Sequence, residues 1–109
     1  MHRDIRWSNI VLYNEIYFLI DFEFAQFAPQ KALNQLKENE HAPEILRGRH
    51  DEKADLWSIG YLVFSSNIRN IPSDLFNLAL KLCEDDPNKR PSASDALEEV
   101  KEMFKKVYN

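Results

Sequence analysis

The chain has 109 residues, of which 44% are hydrophobic and 12% aromatic, a composition that fits one folded domain and excludes a disordered chain. The formal net charge is −4, with acidic and basic residues interleaved, so we expect no nucleic-acid partner, because such proteins usually carry a basic patch. No apolar run approaches the roughly 18 residues of a membrane span. No leader-like apolar block follows a basic start, and a single cysteine, Cys83, allows no intrachain disulfide. We therefore expect a cytoplasmic protein with no membrane partner and with Cys83 as a plain buried thiol.

The first predicted element is a β-hairpin. Two runs of β-branched and aromatic residues, NIVLY and IYFLID, are separated by Asn14-Glu15, which predicts a tight turn between two strands. The following stretch, residues 24–41, contains Pro29 and many polar residues. It is expected to form a loop that contains one helical turn.

Helices are predicted for the rest of the chain. The run PEILRG predicts a short helix, because proline favours a helix start and glycine a helix end. The run DLWSIGYLVF is apolar on nearly every side, which predicts a buried helix at the centre of the core, with Asp55 capping its first turn. A further helix is expected from Ser73, and a last one after DDPNKRP, with Ser92 and Asp95 as a capping pair. The fold is thus expected to be mainly α with one small β-hairpin.

Three oxygen-bearing side chains flank the hairpin. Asp4 and Asn9 precede the first strand, and Asp21 ends the second. Because a hairpin folds the chain back, Asp21 should return close to Asn9. Mg²⁺ takes few oxygen ligands from protein and the rest from phosphate and water, so such a pair could hold it. Taken one at a time, these residue types are better explained as turn formers.

Four motifs together resemble the protein kinase family. HRDIRWSNI, followed twelve residues after Asn9 by DFE, resembles the catalytic loop and the magnesium-binding loop. HAPEIL resembles the Ala-Pro-Glu signature that closes the activation segment, and DLWSIG resembles the start of the family's buried helix F. DDPNKRPSA resembles the Pro-x-x-Arg-Pro element between the last two helices. The set, in family order over residues 2–93, implies that residues 1–109 form the C-terminal lobe of a protein kinase-like fold (α+β), with the N-terminal lobe absent.

The resemblance assigns catalytic roles by position. Asp4 would accept the proton of the substrate hydroxyl, and Arg6 stands where these enzymes usually place a lysine near the transferred phosphoryl group. Asn9 and Asp21 would hold the Mg²⁺ ions that accompany ATP. His2 is expected to pack rather than to react.

The resemblance also assigns structural roles. Asp55 would hold the backbone of the catalytic loop, and Glu44 would form an ion pair with Arg90. Arg3 stands where the family receives an activation-segment phosphate. Residues 24–41 contain no Ser, Thr or Tyr, so our hypothesis is that either Glu38 or Glu40 supplies the negative charge instead, or this loop is not regulated by phosphorylation.

Two further departures from the family concern backbone and length. Glu23 replaces the glycine that usually follows Asp-Phe; it would either restrict the loop or add a carboxylate beside the metal. The stretch between Phe64 and Pro72 is too short for the family's helix G. Such short, divergent kinase-like domains are similar to those of fungal expansions and crinkler-type effectors.

Three functions remain open from the sequence. The first is an ATP- and Mg²⁺-dependent protein kinase; because no Gly-rich loop or strand lysine is present, the isolated chain is expected to bind ATP poorly, and its partner would be a protein substrate or a partner kinase lobe. The second is a pseudokinase-like binding module. The third is a small-molecule kinase of the choline or aminoglycoside type, which shares the His-x-Asp…Asn loop but lacks the Ala-Pro-Glu and Trp-Ser-x-Gly motifs.

Overall fold

The protein is described by a computed structural model, which covers residues 1–33, 36 and 39–108. Its elements are β1 (Ile10–Tyr13), β2 (Ile16–Leu19), α1 (Pro43–Arg47), α2 (Lys53–Phe64), α3 (Ser73–Leu82) and α4 (Ala93–Tyr108). One-turn 3₁₀ helices lie at Trp7–Asn9 and Pro87–Lys89. Within the described residues, the helices are all too short or too polar to cross a bilayer. The predicted mainly helical fold with one small hairpin is confirmed.

The hairpin has the predicted turn, but its strands are shorter than predicted, since β1 begins at Ile10 and β2 ends at Leu19. Strands β1 and β2 pair antiparallel from Ile10 opposite Leu19 to Tyr13 opposite Ile16. The two turn residues have left-handed backbones, with φ of 48° at Asn14 and 64° at Glu15, as a type I′ turn requires. Every strand residue except the first is exposed, so neither face of the hairpin is covered by the described part of the chain.

Helix α2 contributes to two small cores. In the first, Leu56 packs with residues of α3 and α4, namely Leu78, Leu82 and Ala96. In the second, Ala54 packs with Ala42 and Ile45 at the start of α1. The predicted central position of this helix in the core is therefore present in the structure.

Two expectations about α2 are wrong. The helix is not buried on all sides: Ile59 is 43% exposed and Phe64 is 40% exposed, because no described element covers that face. Asp55 does not cap its own helix either: the N–H of Lys53, the first residue of α2, donates to Asp51 Oδ1 at 3.0 Å. The two carboxylate oxygens of Asp55 instead accept hydrogen bonds from the loop that precedes the hairpin.

Helices α2 and α3 approach closely at Gly60. A Cβ atom at this position would lie 2.8 Å from Cys83 Sγ and 2.9 Å from the Ala79 carbonyl oxygen. The Cys83 thiol donates to the Trp57 carbonyl oxygen at 3.4 Å. Burial raises the Cys83 pKa to about 11, opposed in part by the positive charge of Arg90. The thiol is therefore neutral at physiological pH, as expected of a packing residue, but Cys83 is half-buried rather than fully buried.

The connections agree with most of the predictions. Helix α1 is the short helix expected from PEILRG, and residues 65–72 join α2 to α3 without a helix. The described residues of 24–41 form no helical turn, but Gln30 pairs with His50 in an isolated antiparallel bridge. Helix α4 begins after Ser92, whose hydroxyl accepts from the Asp95 N–H at 3.1 Å, so the Ser92 cap is confirmed.

Candidate catalytic site

The site is built around the buried carboxylate of Asp4. His41 Nε2 lies 2.8 Å from Asp4 Oδ1, and the Asn9 side-chain amide donates to Asp4 Oδ2 at 3.1 Å. The same Asn9 nitrogen also donates to the Asp4 carbonyl oxygen at 2.8 Å. Because a carboxylate can only accept, His41 Nε2 carries the hydrogen in this contact. Two side chains from different segments thus fix the orientation of Asp4.

His41 is a site residue that the sequence reasoning did not assign. It directly precedes Ala42-Pro43-Glu44, so its position beside that signature was the available clue. Its contact with Asp4 spans 37 positions of the chain and depends on how the segment before α1 returns to the catalytic loop. Sequence spacing alone does not reveal such a return.

Arg6 lies between Asp4 and the segment before α1. Its Nε is 3.6 Å from Asp4 Oδ1 and is buried without a hydrogen-bond acceptor among the described residues. Its Nη1 donates to Glu40 Oε2 at 2.9 Å. The expectation that Glu40 faces Arg3 is therefore wrong, because Arg6 takes this carboxylate; Glu38 lies outside the described residues.

Asp55 anchors the loop that carries Asp4. Its two oxygens accept from the backbone N–H groups of His2 at 2.7 Å and of Arg3 at 2.8 Å. Arg3 has a left-handed backbone, with φ of 73°, which is a costly conformation for a non-glycine residue. The two charge-assisted bonds from α2 hold the loop in this conformation.

His2 connects the same loop to the end of β2. Its Nδ1 accepts from the Asp4 N–H at 3.1 Å, so Nε2 carries the hydrogen and donates to the Ile20 carbonyl oxygen at 3.0 Å. Its ring also meets Phe22 edge-on, with centroids 4.8 Å apart. His2 therefore packs and positions, in agreement with the sequence expectation.

Asn9 and Asp21 lie at the open end of the hairpin. The Ile20 N–H donates to the Asn9 carbonyl oxygen at 2.8 Å, which places Asp21 one residue beyond this bond. Asp21 is exposed, has φ of 61°, and accepts from the Glu23 N–H at 3.2 Å. Glu23 itself is not among the residues with left-handed backbones, so replacing glycine at this position incurs no strain in this conformation.

An ion pair joins α1 to the chain before α4. Both guanidinium Nη atoms of Arg90 bond the Glu44 carboxylate, with Nη2 to Oε1 at 2.9 Å. The Arg90 side chain is fully buried and that of Glu44 is 12% exposed. The structure thus contains the Glu44–Arg90 contact that the motifs imply.

Comparison with known proteins identifies the family. The family described as "Protein kinase domain" matches residues 1–74, which is 74 of the 109 residues. The chain belongs to the protein kinase family. The matched range includes the loop with Asp4 and Asn9, the hairpin, Asp21, Glu44 and Asp55, while Arg90 lies beyond it.

Relatives of this kinase-family chain include effectors and kinases. It is 41% identical over 107 residues to Crinkler effector protein 8 of Phytophthora infestans, covering 90% of this chain and 18% of the effector. It is 36% identical over 76 residues to Aurora kinase B of Danio rerio, covering 66% of this chain and 24% of that kinase. It is 30% identical over 133 aligned positions to mitogen-activated protein kinase kinase kinase 2 of Arabidopsis thaliana, covering 89% and 20%. The chain therefore spans about a fifth of the length of these curated relatives.

Proposed function

We propose that residues 1–109 form the C-terminal lobe of a protein kinase domain and supply its catalytic loop and metal-binding side. The observation that carries this proposal is the orientation of the buried Asp4 carboxylate by Asn9 and His41, with Arg6 Nε 3.6 Å away. A carboxylate held in this way is suited to accept a proton from a hydroxyl group. The acceptor would be a hydroxyl group of a protein substrate.

The residues at the end of the hairpin fit a magnesium ion. Asn9 uses its amide nitrogen on Asp4, so its amide oxygen is the atom that would serve as a ligand. Asp21 is exposed and follows Ile20, whose backbone bonds that of Asn9. Within the described residues, no group of three or more His, Cys, Asp or Glu could hold a metal alone. Two protein oxygens suit Mg²⁺, which completes its shell with water and phosphate. Mg²⁺–ATP would supply the phosphoryl group and neutralise its charge.

The chain's own residues would then position and deprotonate the acceptor. Asn9 and His41 hold Asp4 so that its carboxylate can take the hydroxyl proton. Arg6 Nε is a buried donor without an acceptor among the described residues, and it places positive charge 3.6 Å from Asp4 Oδ1, where it would stabilise negative charge. Asp55 keeps the loop backbone in place from α2. Catalysis by such a site would depend on position and charge rather than on a covalent intermediate.

The test is phosphoryl transfer with and without the proposed base. The chain would be assayed with Mg²⁺–ATP and a library of Ser, Thr and Tyr peptides, alone and with the N-terminal lobe of a kinase relative supplied. With the N-terminal lobe supplied, we expect transfer by the parent chain that falls by about 100-fold or more in Asp4→Asn, the usual effect of losing a general base. Arg69→Gln, an exposed substitution on the α2–α3 connection, is the control and should leave transfer unchanged. Transfer that is equal in Asp4→Asn and the parent chain would contradict the proposal.

One observation favours a second candidate, the pseudokinase-like binding module. The apolar side chains on both faces of the hairpin are exposed, including Leu12 at 59% and Tyr17 at 69%. Exposed apolar surface of this extent marks interaction sites. Binding of a partner kinase lobe that survives both Asp4→Ala and Asp21→Ala, without any transfer, would favour this module. Transfer to choline or aminoglycosides but not to peptides would favour the small-molecule kinase.

A further inference from the structure

Arg3 has an unusual set of partners for a buried guanidinium. Its side chain donates from Nε to the Phe24 carbonyl oxygen at 2.6 Å, and its Nη1 lies 3.3 Å from His50 Nε2. Both of these partners, within the described part of the chain, are neutral groups. Burial lowers the Arg3 pKa, and the charge of Asp55 opposes that effect. The described contacts of the Arg3 guanidinium therefore resemble those of a structural donor more than those of a free phosphate receptor.

The environment of His50 fixes which nitrogen faces Arg3. An arginine can only donate, so His50 Nε2 must accept and Nδ1 must carry the hydrogen. Consistent with this, Nδ1 lies 3.2 Å from the Gly48 carbonyl oxygen, which can only accept. The ring is buried, with 3% exposure, and the His50 backbone bonds Gln30 in both directions, at 2.9 and 3.0 Å. The contact thus requires a neutral imidazole in one tautomer.

His50 is therefore the point at which three segments meet. Arg3 belongs to the catalytic loop, Phe24 and Gln30 belong to the segment 24–41, and His50 itself precedes α2. In the family, an activation-segment phosphate would link the arginine to that segment, yet residues 24–41 contain no Ser, Thr or Tyr. Glu40, one of the two acidic residues hypothesised to replace this phosphate, pairs with Arg6 instead.

We propose that His50 is a positioning residue that holds Arg3, and with it the catalytic loop, without any phosphorylation. The neutral imidazole supplies the acceptor, and the His50–Gln30 bridge transmits the position of the segment 24–41 to the loop. The proposal concerns regulation of the site around Asp4, and its consequence for catalysis rests on the proposed function. The contact itself can be tested without any assay of activity.

The first measurement is the tautomer of His50 in the unmodified chain, by long-range ¹H–¹⁵N NMR at neutral pH. We expect an unprotonated Nε2 and a protonated Nδ1. In Arg3→Lys, whose ammonium lacks the fork geometry of a guanidinium, the Nε2 resonance should shift. An Nε2–H tautomer in the unmodified chain would overturn the proposal.

The second measurement is hydrogen exchange of the His2 and Arg3 amides. His50→Phe keeps a ring but removes the acceptor, and we expect it to speed this exchange by about tenfold or more, because a hydrogen bond to a charged group is lost. His50→Gln restores an acceptor and should return exchange close to that of the parent chain. Arg49→Gln, at the exposed neighbouring position, is the control. If His50→Phe does not fold, faster exchange in His50→Gln than in Arg49→Gln would overturn the proposal, and equal exchange would support it.

These outcomes are separate from those of the proposed function. An Nε2–H tautomer of His50, or amide exchange at His2 and Arg3 that is unchanged in His50→Phe, would rule out His50 as a positioning residue. Transfer could still depend on Asp4 in that case. Absence of transfer would remove the proposed function while the Arg3–His50 contact remained measurable.

Discussion

Arg90→Ala is the substitution for which the structure predicts the largest loss of stability. The Arg90 guanidinium makes two bonds to the Glu44 carboxylate. It also donates to the carbonyl oxygens of Glu84 at 2.8 Å, Lys53 at 2.9 Å and Asp85 at 3.4 Å. One side chain therefore links α1, the first turn of α2 and the chain that follows α3.

The magnitude follows from what the substitution leaves behind. Alanine would leave Glu44, 12% exposed, without its ion-pair partner, and breaking a buried pair on one side costs about 3–5 kcal/mol. Three carbonyl oxygens would also lose a charged donor. A domain of this size is stable by only about 5–15 kcal/mol, so the loss is a large share of the total.

Chemical denaturation measures this loss against Arg47→Ala. Arg47 lies on the exposed side of α1, and its truncation is expected to cost less than about 1 kcal/mol, as for other surface charges. If Arg90→Ala does not fold, Arg90→Lys provides the measurement, because it keeps the charge and loses the two-pronged bond. Equal unfolding free energies for Arg47→Ala and the Arg90 variant would refute the reasoning.

Three further predictions concern the loop, the turn and the thiol. Asp55→Ala should destabilise the chain by about 2–4 kcal/mol and speed amide exchange at His2 and Arg3, since both amides lose a charged acceptor; unchanged exchange would count against this anchor. Glu15→Gly should stabilise the hairpin by about 1 kcal/mol, because glycine takes the φ of 64° without steric cost, and a lower melting temperature would contradict this. Because the Cys83 pKa is raised from 9.0 to about 11, stability should be fully present below pH 9.0 and fall as pH rises towards 11, whereas Cys83→Ala should lack this part of the loss.

The hairpin and the helix bounds could be predicted because they depend on local features. Asn14-Glu15 between two apolar strands, Ser92 before α4 and the proline and glycine around α1 each act within a few residues. The pairing of Asn9 with the end of β2 follows from the hairpin, so the approach of Asp21 to Asn9 was also accessible. Local chemistry therefore predicted that Asn9 and Asp21 lie at the same end of the hairpin.

The remaining contacts depend on the return of distant segments. The helix pattern predicted that Asp55 caps its own helix, but its oxygens bond amides more than 50 positions away, and only the family resemblance implied this contact. His41 reaches Asp4 and His50 reaches Arg3 over similarly long separations. For the same reason, the sequence does not show which face of α2 is buried. The helix is apolar on nearly every side, so the burial of each face depends on which elements pack against it. Such contacts are consequences of tertiary packing, which periodicity and capping patterns do not encode.

Paramagnetic NMR with Mn²⁺ and ATP tests the central claim most directly, because Mn²⁺ accepts the same oxygen ligands as Mg²⁺ and broadens nearby resonances. The control is Asp86→Asn: Asp86, like Asp21, is an exposed carboxylate that accepts from the N–H two residues ahead. We predict that the amide signals of Asn9 and Asp21 broaden first, that Asp21→Asn abolishes this broadening, and that Asp86→Asn leaves it unchanged. Broadening that is centred elsewhere, or that persists in Asp21→Asn, would contradict the proposed kinase site.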